Sequence, residues 1–281
     1  MKLGFFGINF GVCCDPEVAT AVAQAAEAAG YDSVWTGEHV VLPDPQMPPS
    51  PAPPDTPMLD PAVSLAYVAA GTKTIKLGTG IIILPQRNPA VLAKELASVD
   101  VVSRGRLIFG VGVGYLKPEF DALGIPFDRK GARTDDYLEA MLALWTQEHP
   151  EHHGPFASFE GIQAMPRPEQ RPHPPIVIGG HSPPAYRRAL QRGNGWYGFA
   201  LDLQKTEASL AGLRDAAAAC TRPDALGNLE VSVTPTETLD RDIVRRYEDL
   251  GVHRLVLLGL GASKQDLLDL VRSTASNAGL G

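Results

Sequence analysis

The feature of this 281-residue sequence that most constrains its fold is a repeated alternation of a short apolar segment with a longer amphipathic one. Segments apolar on both faces, each followed by a helical segment, are typical of a parallel sheet covered by helices. The unit occurs eight times, which predicts a closed (β/α)₈ barrel, with a doubly wound open sheet as the alternative. The predicted strands cover 3–9, 33–36, 77–84, 107–113, 176–178, 195–199, 229–233 and 254–258, and the predicted helices cover 17–29, 62–70, 89–102, 135–145, 183–191, 204–220, 240–250 and 264–275.

Two irregular segments interrupt this order. Residues 149–175, between the fourth helix and the fifth strand, are expected to be an insertion with a small hairpin around 156–162. The proline-rich residues 43–61 are expected to form a lid or rim. Because no shift in composition marks a boundary, one barrel domain over residues 1–281 is expected.

Composition excludes several classes of protein. Lys and Arg number 25 and Asp and Glu number 32, so the net charge is −7, and no basic stripe suggests a nucleic-acid partner. No run of 18 apolar residues predicts a membrane helix. The three cysteines, Cys13, Cys14 and Cys220, have no disulfide-like spacing, and the first residues do not resemble a signal peptide. A cytoplasmic location is therefore expected.

In a barrel of this kind, active sites lie where the strands end, in the loops that lead into the helices. Glu38 and His39 follow the second predicted strand, which places a carboxylate and an imidazole side by side at that end. A functional pair is favoured there over a solvated Glu beside a merely hydrogen-bonded His, because of this location.

Glycines occupy unusual positions within two predicted strands. Gly78 and Gly80 lie inside the third, which indicates a bulge or a close approach of backbone to a ligand, with crowding at the barrel wall as the alternative. The fourth carries GVGVG at 110–114, but Tyr115 and Lys117 stand where a dinucleotide fingerprint needs its third glycine. A Rossmann site is therefore rejected. The glycines around Gly112 nevertheless either expose backbone to a flat molecule or leave room for one.

The loop after the fifth strand favours an anion. Gly179, Gly180, His181 and Ser182 precede Pro183, with Ser182 as the predicted N-cap, so free N–H groups reached through glycines favour phosphate over a plain turn. Residues 259–263 after the last strand are a second phosphate candidate.

Two other groups of residues are not expected to carry chemistry. The histidines at 149, 152 and 153 lie in a polar loop without a partner ligand of clear spacing, so no metal is predicted. Cys13 and Cys14 have no neighbouring cation or helix start to activate them, so buried, unreactive thiols are expected.

Six short segments occur in a recognisable order along the chain. They are TGEHV at 36–40, LGTG at 77–80, RNP at 87–89, SRGRL at 103–107, GVGVG at 110–114 and PPIVIGG at 174–180. Together they resemble the bacterial luciferase-like monooxygenase family, and most closely its actinobacterial branch that uses coenzyme F420, a deazaflavin. The resemblance spans nearly the whole chain and implies a (β/α)₈ barrel, in agreement with the count of units.

The resemblance also implies roles for individual residues. Glu38 and His39 would lie at the cofactor face, and the step Thr79-Gly80-Ile81 would carry a bulge with a non-prolyl cis peptide behind the cofactor ring. The loop from Gly179 to Ser182 would line the cofactor or hold its phosphate. The family's sugar-phosphate dehydrogenase has a catalytic Glu where Tyr115 stands here, so its substrate is not carried over.

The function expected from these observations is transfer of hydride between coenzyme F420 and a small organic substrate. His39 would donate or accept the proton, Glu38 would orient it or contact the cofactor, and Tyr115 would be a second acid. The alternatives are an FMN-dependent monooxygenase that works with a separate reductase, and a non-catalytic cofactor-binding barrel. The family resemblance also implies a homodimer formed through barrel helices.

Overall fold

A computed structural model describes residues 1–279, so the last two residues of the predicted 1–281 domain lie outside the described range. Short 3₁₀ turns cover Gly11–Cys14, Leu84–Gln86 and Asp224–Leu226. The strands are β1 (Lys2–Phe6), β2 (Ser33–Thr36), β3 (Lys76–Thr79), β4 (Ile82–Ile83), β5 (Leu107–Gly112), β6 (His152–His153), β7 (Ser158–Phe159), β8 (Ile176–Gly179), β9 (Gly195–Leu201), β10 (Glu230–Pro235) and β11 (Arg254–Leu258). The helices are α1 (Pro16–Ala28), α2 (Pro61–Gly71), α3 (Pro89–Val102), α4 (Lys117–Ala122), α5 (Lys130–Thr146), α6 (Pro183–Arg192), α7 (Leu203–Ala219), α8 (Arg241–Asp249) and α9 (Lys264–Ala278).

The main sheet closes on itself. Its strands follow the order β3-β2-β1-β11-β10-β9-β8-β5, every neighbouring pair is parallel, and β3 also pairs with β5. The predicted (β/α)₈ barrel is therefore confirmed. The C-terminal ends of its strands form the end called the mouth below, and the N-terminal ends form the floor. None of the helices in residues 1–279 is long and apolar enough to cross a bilayer.

Local sequence explains where the first helices begin. Asp15, Asp60 and Asn88 each accept hydrogen bonds from two backbone N–H groups of the first turn that follows. A proline comes next in each case, where its missing N–H costs no hydrogen bond. These caps fix the entry of α1, α2 and α3 onto the outside of the barrel.

The barrel interior is filled by large side chains, and glycines make room for them. The Trp35 indole lies across β3, where a Cβ on Gly78 would come within 2.4 Å of it, and a Cβ on Gly4 would meet the same ring at 3.0 Å. Trp35 stacks on Tyr197, with 5.5 Å between the ring centres. The inner cluster is completed by Phe6, Ile108, Val177 and Val256.

Three predicted elements differ from the structure. The third predicted strand, 77–84, is divided into β3 and β4 by the peptide Gly80–Ile81, which is cis, as the family resemblance implied. The first predicted strand ends at Phe6 instead of residue 9. The fourth predicted helix begins five residues earlier, at Lys130, and the six-residue α4 before it was not predicted, because so short a helix carries little periodicity.

The insertion forms a hairpin of β6 and β7, slightly earlier than predicted. Asp136 of α5 holds it. Its carboxylate lies 3.0 Å from His152 Nε2 and accepts hydrogen bonds from the backbone N–H groups of Phe156 and Ala157 at 3.0 and 2.9 Å. These contacts join α5 to a segment about twenty residues later. The local sequence of the hairpin therefore does not predict where it lies.

Candidate active site

Glu38 and His39 follow β2 at the mouth, but their side chains have separate surroundings. The Glu38 carboxylate is 2% exposed and accepts hydrogen bonds from the Ile83 backbone N–H and from the Arg87 guanidinium, with Nε at 2.8 Å. Arg87 also donates to Asp60 at 2.8 Å. Both oxygens of Glu38 are thus occupied, and the residue joins β2 to β4 and to the start of α3.

His39 is instead positioned by Glu119 of α4. Nδ1 of His39 lies 3.3 Å from one carboxylate oxygen of Glu119, and the other oxygen accepts a hydrogen bond from the Val40 backbone N–H at 2.6 Å. Glu119 is fully buried. The expectation that Glu38 orients His39 is therefore corrected. Since a carboxylate can only accept, this geometry places a proton on Nδ1 and leaves Nε2 for exchange.

Tyr115 completes the chain of acid–base groups. Its hydroxyl lies 3.4 Å from Nε2 of His39, and the two rings meet edge to face. Burial and the nearby charge of Glu119 raise the pKa of Tyr115, so the phenol keeps its proton at neutral pH. Tyr115 is 48% exposed and is the member of the chain that faces the mouth most openly.

Glu119 was missed by the sequence analysis. It lies on α4, a helix that was not predicted, and it contacts a residue eighty positions earlier in the chain. A buried carboxylate in a six-residue helix resembles any other polar position in the sequence, so only the folded chain identifies it.

The glycines of β5 and β8 make room for Ile81. A Cβ added to Gly112 or Gly179 would meet the Ile81 side chain at 2.9 Å. A Cβ on Gly110 would also lie 2.9 Å from Ile81, but it would first meet the Thr79 carbonyl oxygen, at 1.9 Å. Ile81 is partly exposed, while Gly112 is buried. The expected bare backbone is thus covered by Ile81, and it is Ile81 that presents a surface to the mouth.

Thr79 and Gly80 were also predicted to contact a cofactor, but both are packed within the barrel wall. The Thr79 hydroxyl donates to the carbonyl of Gly110 and accepts from its N–H, both at 2.8 Å. A Cβ on Gly80 would meet the Thr36 carbonyl at 2.9 Å. Of the step Thr79-Gly80-Ile81, the partly exposed residue is therefore Ile81.

In the loop between β8 and α6, the N-cap residue is the predicted one, but its side chain does not cap the helix. Ser182 occupies the N-cap of α6, but its hydroxyl makes no capping hydrogen bond, and Pro183 and Pro184 lack N–H groups. Gly180 has φ +123°, and a Cβ there would meet Ala185 at 3.0 Å, so this turn requires glycine. The donors left for an anion are the Ser182 hydroxyl and the backbone N–H groups of the loop.

His181 secures this loop as a neutral imidazole. Its Nε2 accepts a hydrogen bond from the Phe199 backbone N–H at 3.1 Å, and burial lowers its pKa. Because Nε2 accepts, Nδ1 carries the proton and can donate to a ligand. Trp196 Nε1 donates to the Gly180 carbonyl at 2.8 Å and holds the other side of the turn.

Aromatic side chains line another part of the mouth. Phe6 at the end of β1 contacts Phe10 and Phe199, with ring-centre distances of 5.9 and 5.0 Å. Phe199 is 39% exposed. This arrangement offers an apolar surface to a substrate.

The second phosphate candidate is occupied by the protein itself. Asp266 accepts a hydrogen bond from the Ala262 N–H at 3.1 Å, and its own N–H donates to the Ser263 hydroxyl at 3.2 Å. A carboxylate already fills this turn, so a phosphate there would face a like charge. The prediction for 259–263 is corrected on that ground.

The thiols and histidines set aside by the sequence analysis have ordinary roles. Burial, followed by the neighbouring Cys14, raises the pKa of Cys13 to about 12, which agrees with an unreactive thiol. His152 pairs with Asp136, as described above. Within residues 1–279, no group of three or more His, Cys, Asp and Glu side chains is arranged to hold a metal ion.

Comparison with known proteins places this architecture in a family. The model of the luciferase-like monooxygenases matches residues 14–267. The chain belongs to the luciferase-like monooxygenase family.

Individual members are similar to different extents. An uncharacterised protein of Mycobacterium tuberculosis is 32% identical over 249 residues, which cover 85% of this chain and 86% of that protein. The oxygenase component of a flavin-dependent trigonelline monooxygenase from Acinetobacter baylyi is 31% identical over 174 residues, or 61% of this chain and 45% of that protein. An F420-dependent secondary alcohol dehydrogenase has the same fold, with a TM-score of 0.78 at 14% identity, over 99% of this chain and 98% of its own.

This luciferase-like protein is therefore an oxidoreductase. It is similar in sequence to a component of a flavin-dependent enzyme and shares its fold with an F420-dependent one. The two cofactors share a flat tricyclic ring and a phosphate. Ile81 and the loop from Gly179 to Ser182 are the parts of the mouth that suit these two features.

Proposed function

We propose that this protein is an F420-dependent oxidoreductase that transfers hydride between the deazaflavin and a small organic substrate. The observation that carries the proposal is the hydrogen-bonded chain Glu119, His39 and Tyr115, which ends at the mouth. A hydride transfer to or from a carbonyl group requires a matching proton transfer, and this chain can supply it.

The residues of the mouth fit such a cofactor. Ile81, backed by the glycines of β5 and β8, would support the flat ring. The Ser182 hydroxyl, the Nδ1–H of His181 and the loop N–H groups would bind the phosphate. The hydroxyl makes no capping hydrogen bond, and Nδ1 of His181 carries the proton because Nε2 accepts from Phe199. When bound, the deazaflavin supplies or accepts hydride at its C5 position.

The chain of residues moves the proton. In the direction of reduction, Tyr115 donates its phenolic proton to the substrate oxygen and regains one from Nε2 of the doubly protonated His39 ring. The ring is left neutral with its proton on Nδ1, and Nε2 takes up a new proton from solvent before the next turnover. Glu119 keeps Nδ1 protonated and holds the ring in place, so it is a positioning residue. In the direction of oxidation, the same protons move the opposite way. Phe6, Phe10 and Phe199 favour a substrate with an apolar body.

The proposal is tested by titrating the purified protein with F420 and FMN in parallel, following the fluorescence of each. Tight binding of F420 with weak binding of FMN would support it and justify a screen of enones, imines and alcohols. Tight binding of FMN alone would contradict it.

The role of Glu119 has its own test. Substituting Glu119→Gln removes the charge that holds the His39 ring, so turnover should fall about tenfold or more while cofactor affinity stays within about twofold. Asp121→Asn on the same helix is the matched control, because Asp121 pairs only with exposed Lys117. Equal turnover in both variants would remove Glu119 from the mechanism.

A second candidate is an FMN-dependent monooxygenase that receives reduced flavin from a separate reductase. The similarity to the oxygenase component of a flavin-dependent monooxygenase favours it. It predicts that oxygen from ¹⁸O₂ appears in the product, whereas a hydride-transfer enzyme incorporates none.

A further inference from the structure

Three cations at the start of α5 have no anionic partner. Arg129, Lys130 and Arg133 form no ion pair within 4.0 Å in residues 1–279. The carboxylates nearest in sequence are Asp128, Asp135 and Asp136. Asp135 is already paired with Arg188 at 2.7 Å and Arg192 at 3.6 Å, and Asp136 is paired with His152 at 3.0 Å. The chain as a whole has a net charge of −7, so this cluster of unpaired cations is a local exception to its overall negative charge.

Aromatic rings hold these cations in position. The guanidinium carbons of Arg129 and Arg133 lie 4.8 and 4.9 Å from the centre of the Phe156 ring, and Lys130 Nζ lies 3.4 Å from that of Phe127. Stacking uses the face of a guanidinium and leaves its N–H edge available for an anion.

Helix stability does not explain the cluster. Cations at the first turn oppose the helix dipole, and this turn contains no acidic residue and no side-chain cap. Arg133 is only 7% exposed, and its one hydrogen bond is to the Pro126 carbonyl at 2.7 Å. A buried charge satisfied only by a carbonyl is unfavourable unless an anion approaches it.

The cluster lies at the mouth, beside the loop proposed to bind phosphate. Helix α5 follows β5, so its first turn is at the C-terminal end of the barrel strands. Arg188 of α6 donates to the Gly131 carbonyl at 3.2 Å and joins the first turn of α5 to α6. The loop from Gly179 to Ser182 leads directly into α6.

We propose that Arg129, Lys130 and Arg133 bind a polyanionic extension of the cofactor beyond its phosphate. The inference rests on the proposed function. F420 continues past its phosphate into a chain of γ-linked glutamates, whereas FMN ends at the phosphate. Exposed Arg129 and half-buried Lys130 contact the carboxylates, and Arg133 adds charge beneath them. The cluster therefore selects between the two cofactors at a distance from the ring.

The test measures affinity against tail length. The full chain is titrated with F420 preparations that carry no glutamate, one, and several, at low and at physiological salt, with FMN in parallel. Each of the first glutamates should tighten binding by about twofold to fivefold at low salt, and less at higher ionic strength. In the double variant Arg129→Gln with Lys130→Gln, the affinities for all tail lengths should converge on that for the glutamate-free form.

Two further variants separate charge at this place from charge in general and from folding. Arg129→Lys keeps the charge and should keep the dependence on tail length. The matched control, Lys73→Gln with Arg214→Gln, removes two exposed, unpaired cations elsewhere and should also keep it. Convergence of affinities in this control as well would overturn the proposal, because general electrostatics would then explain the effect.

The outcomes also separate this inference from the proposed function. If the wild-type protein binds F420 with an affinity independent of tail length, the inference fails and the proposed function stands. If F420 of every tail length fails to bind, both fail.

Discussion

Both ends of the barrel contain paired charges, such as Glu38 with Arg87 at the mouth, but the mouth also has polar groups that remain available to a ligand. At the floor, Arg254 is 1% exposed and pairs with both Asp32 and Glu230. Its Nε donates to Asp32 at 2.9 Å, and Nη1 donates to Glu230 and to the Ser232 hydroxyl, the latter at 3.0 Å. At the mouth, Tyr115 and Ser182 keep exposed hydroxyls that can meet a ligand.

The pKa shifts follow the same division. Burial acts to raise the pKa values of Asp32 and Glu230, but Arg254 outweighs it and both are lowered, so these carboxylates stay charged. At the mouth, the pKa of Tyr115 is raised and that of His181 is lowered, both through burial, so these groups stay neutral. Paired charges stabilise the floor, whereas neutral donors at the mouth remain able to exchange protons or bind an anion.

A cavity of about 310 Å³ lies at the floor, lined in part by Lys76, Arg106, Glu230 and Arg254. Arg106 donates to the carbonyls of α2 and of the following loop, including Ala69 at 2.8 Å. The side chains of this cavity thus already have partners within the protein, and we assign the floor to stability.

The largest expected effect is a loss of turnover at the mouth without loss of stability. His39→Ala should lower kcat/KM by about 10²–10⁴-fold, because it removes the group that exchanges protons with Tyr115. Cofactor affinity and the free energy of unfolding should change little. His149→Ala, at an exposed histidine, is the control. Turnover near the wild-type value would show that the mouth does not work as described.

The converse is expected at the floor. Arg254→Met should lower the free energy of unfolding in urea by about 1–3 kcal/mol, because Asp32 and Glu230 lose the buried guanidinium that joins them and keep only the more exposed Lys76 and Lys2. Cofactor affinity of the folded fraction should be retained. Arg272→Met is the control, since Arg272 pairs only with exposed Asp269 at 3.7 Å. Unchanged stability of Arg254→Met would break the comparison of the two ends.

The wall behind Ile81 gives an intermediate effect. Gly112→Ala should lower the free energy of unfolding by about 1–3 kcal/mol, because its Cβ would lie 2.9 Å from Ile81 Cγ2. Adding Ile81→Ala removes that atom, so the double variant should lose less than the two single losses combined. Additive losses would mean that Gly112 and Ile81 are not coupled.

The smallest effect concerns pH at the floor. Glu27 accepts hydrogen bonds from the Lys73, Thr74 and Ile75 backbone N–H groups before β3. Burial acts to raise its pKa, but these bonds lower it to about 2. The unfolded value is about 4.3, so its contribution is complete above that pH and is lost as pH falls toward about 2. Glu27→Gln should cost about 1 kcal/mol at pH 7 in urea unfolding, and the difference should shrink between pH 5 and 3.

Much of the architecture was predictable because it depends on local patterns. Apolar segments of strand length and capped helix starts such as Asp60-Pro61 fixed the order of the elements, and the resemblance located His39 and the cis peptide after Gly80. Ser182 is the N-cap of α6, as the sequence predicted, but a sequence does not show that its hydroxyl makes no capping hydrogen bond. Anion binding by the loop from Gly179 to Ser182 stays a prediction.

The sequence by itself determined that this chain forms a (β/α)₈ barrel with His39, Tyr115 and the loop from Gly179 to Ser182 at one end, since periodicity and glycine positions are local properties. Only the tertiary structure decided that Glu38 binds Arg87 and that Glu119 holds His39. It also decided that the glycines of β5 and β8 accommodate Ile81. Those choices depend on which distant side chains meet when the barrel closes, and hydrogen bonds across eighty residues leave no periodic trace in a sequence.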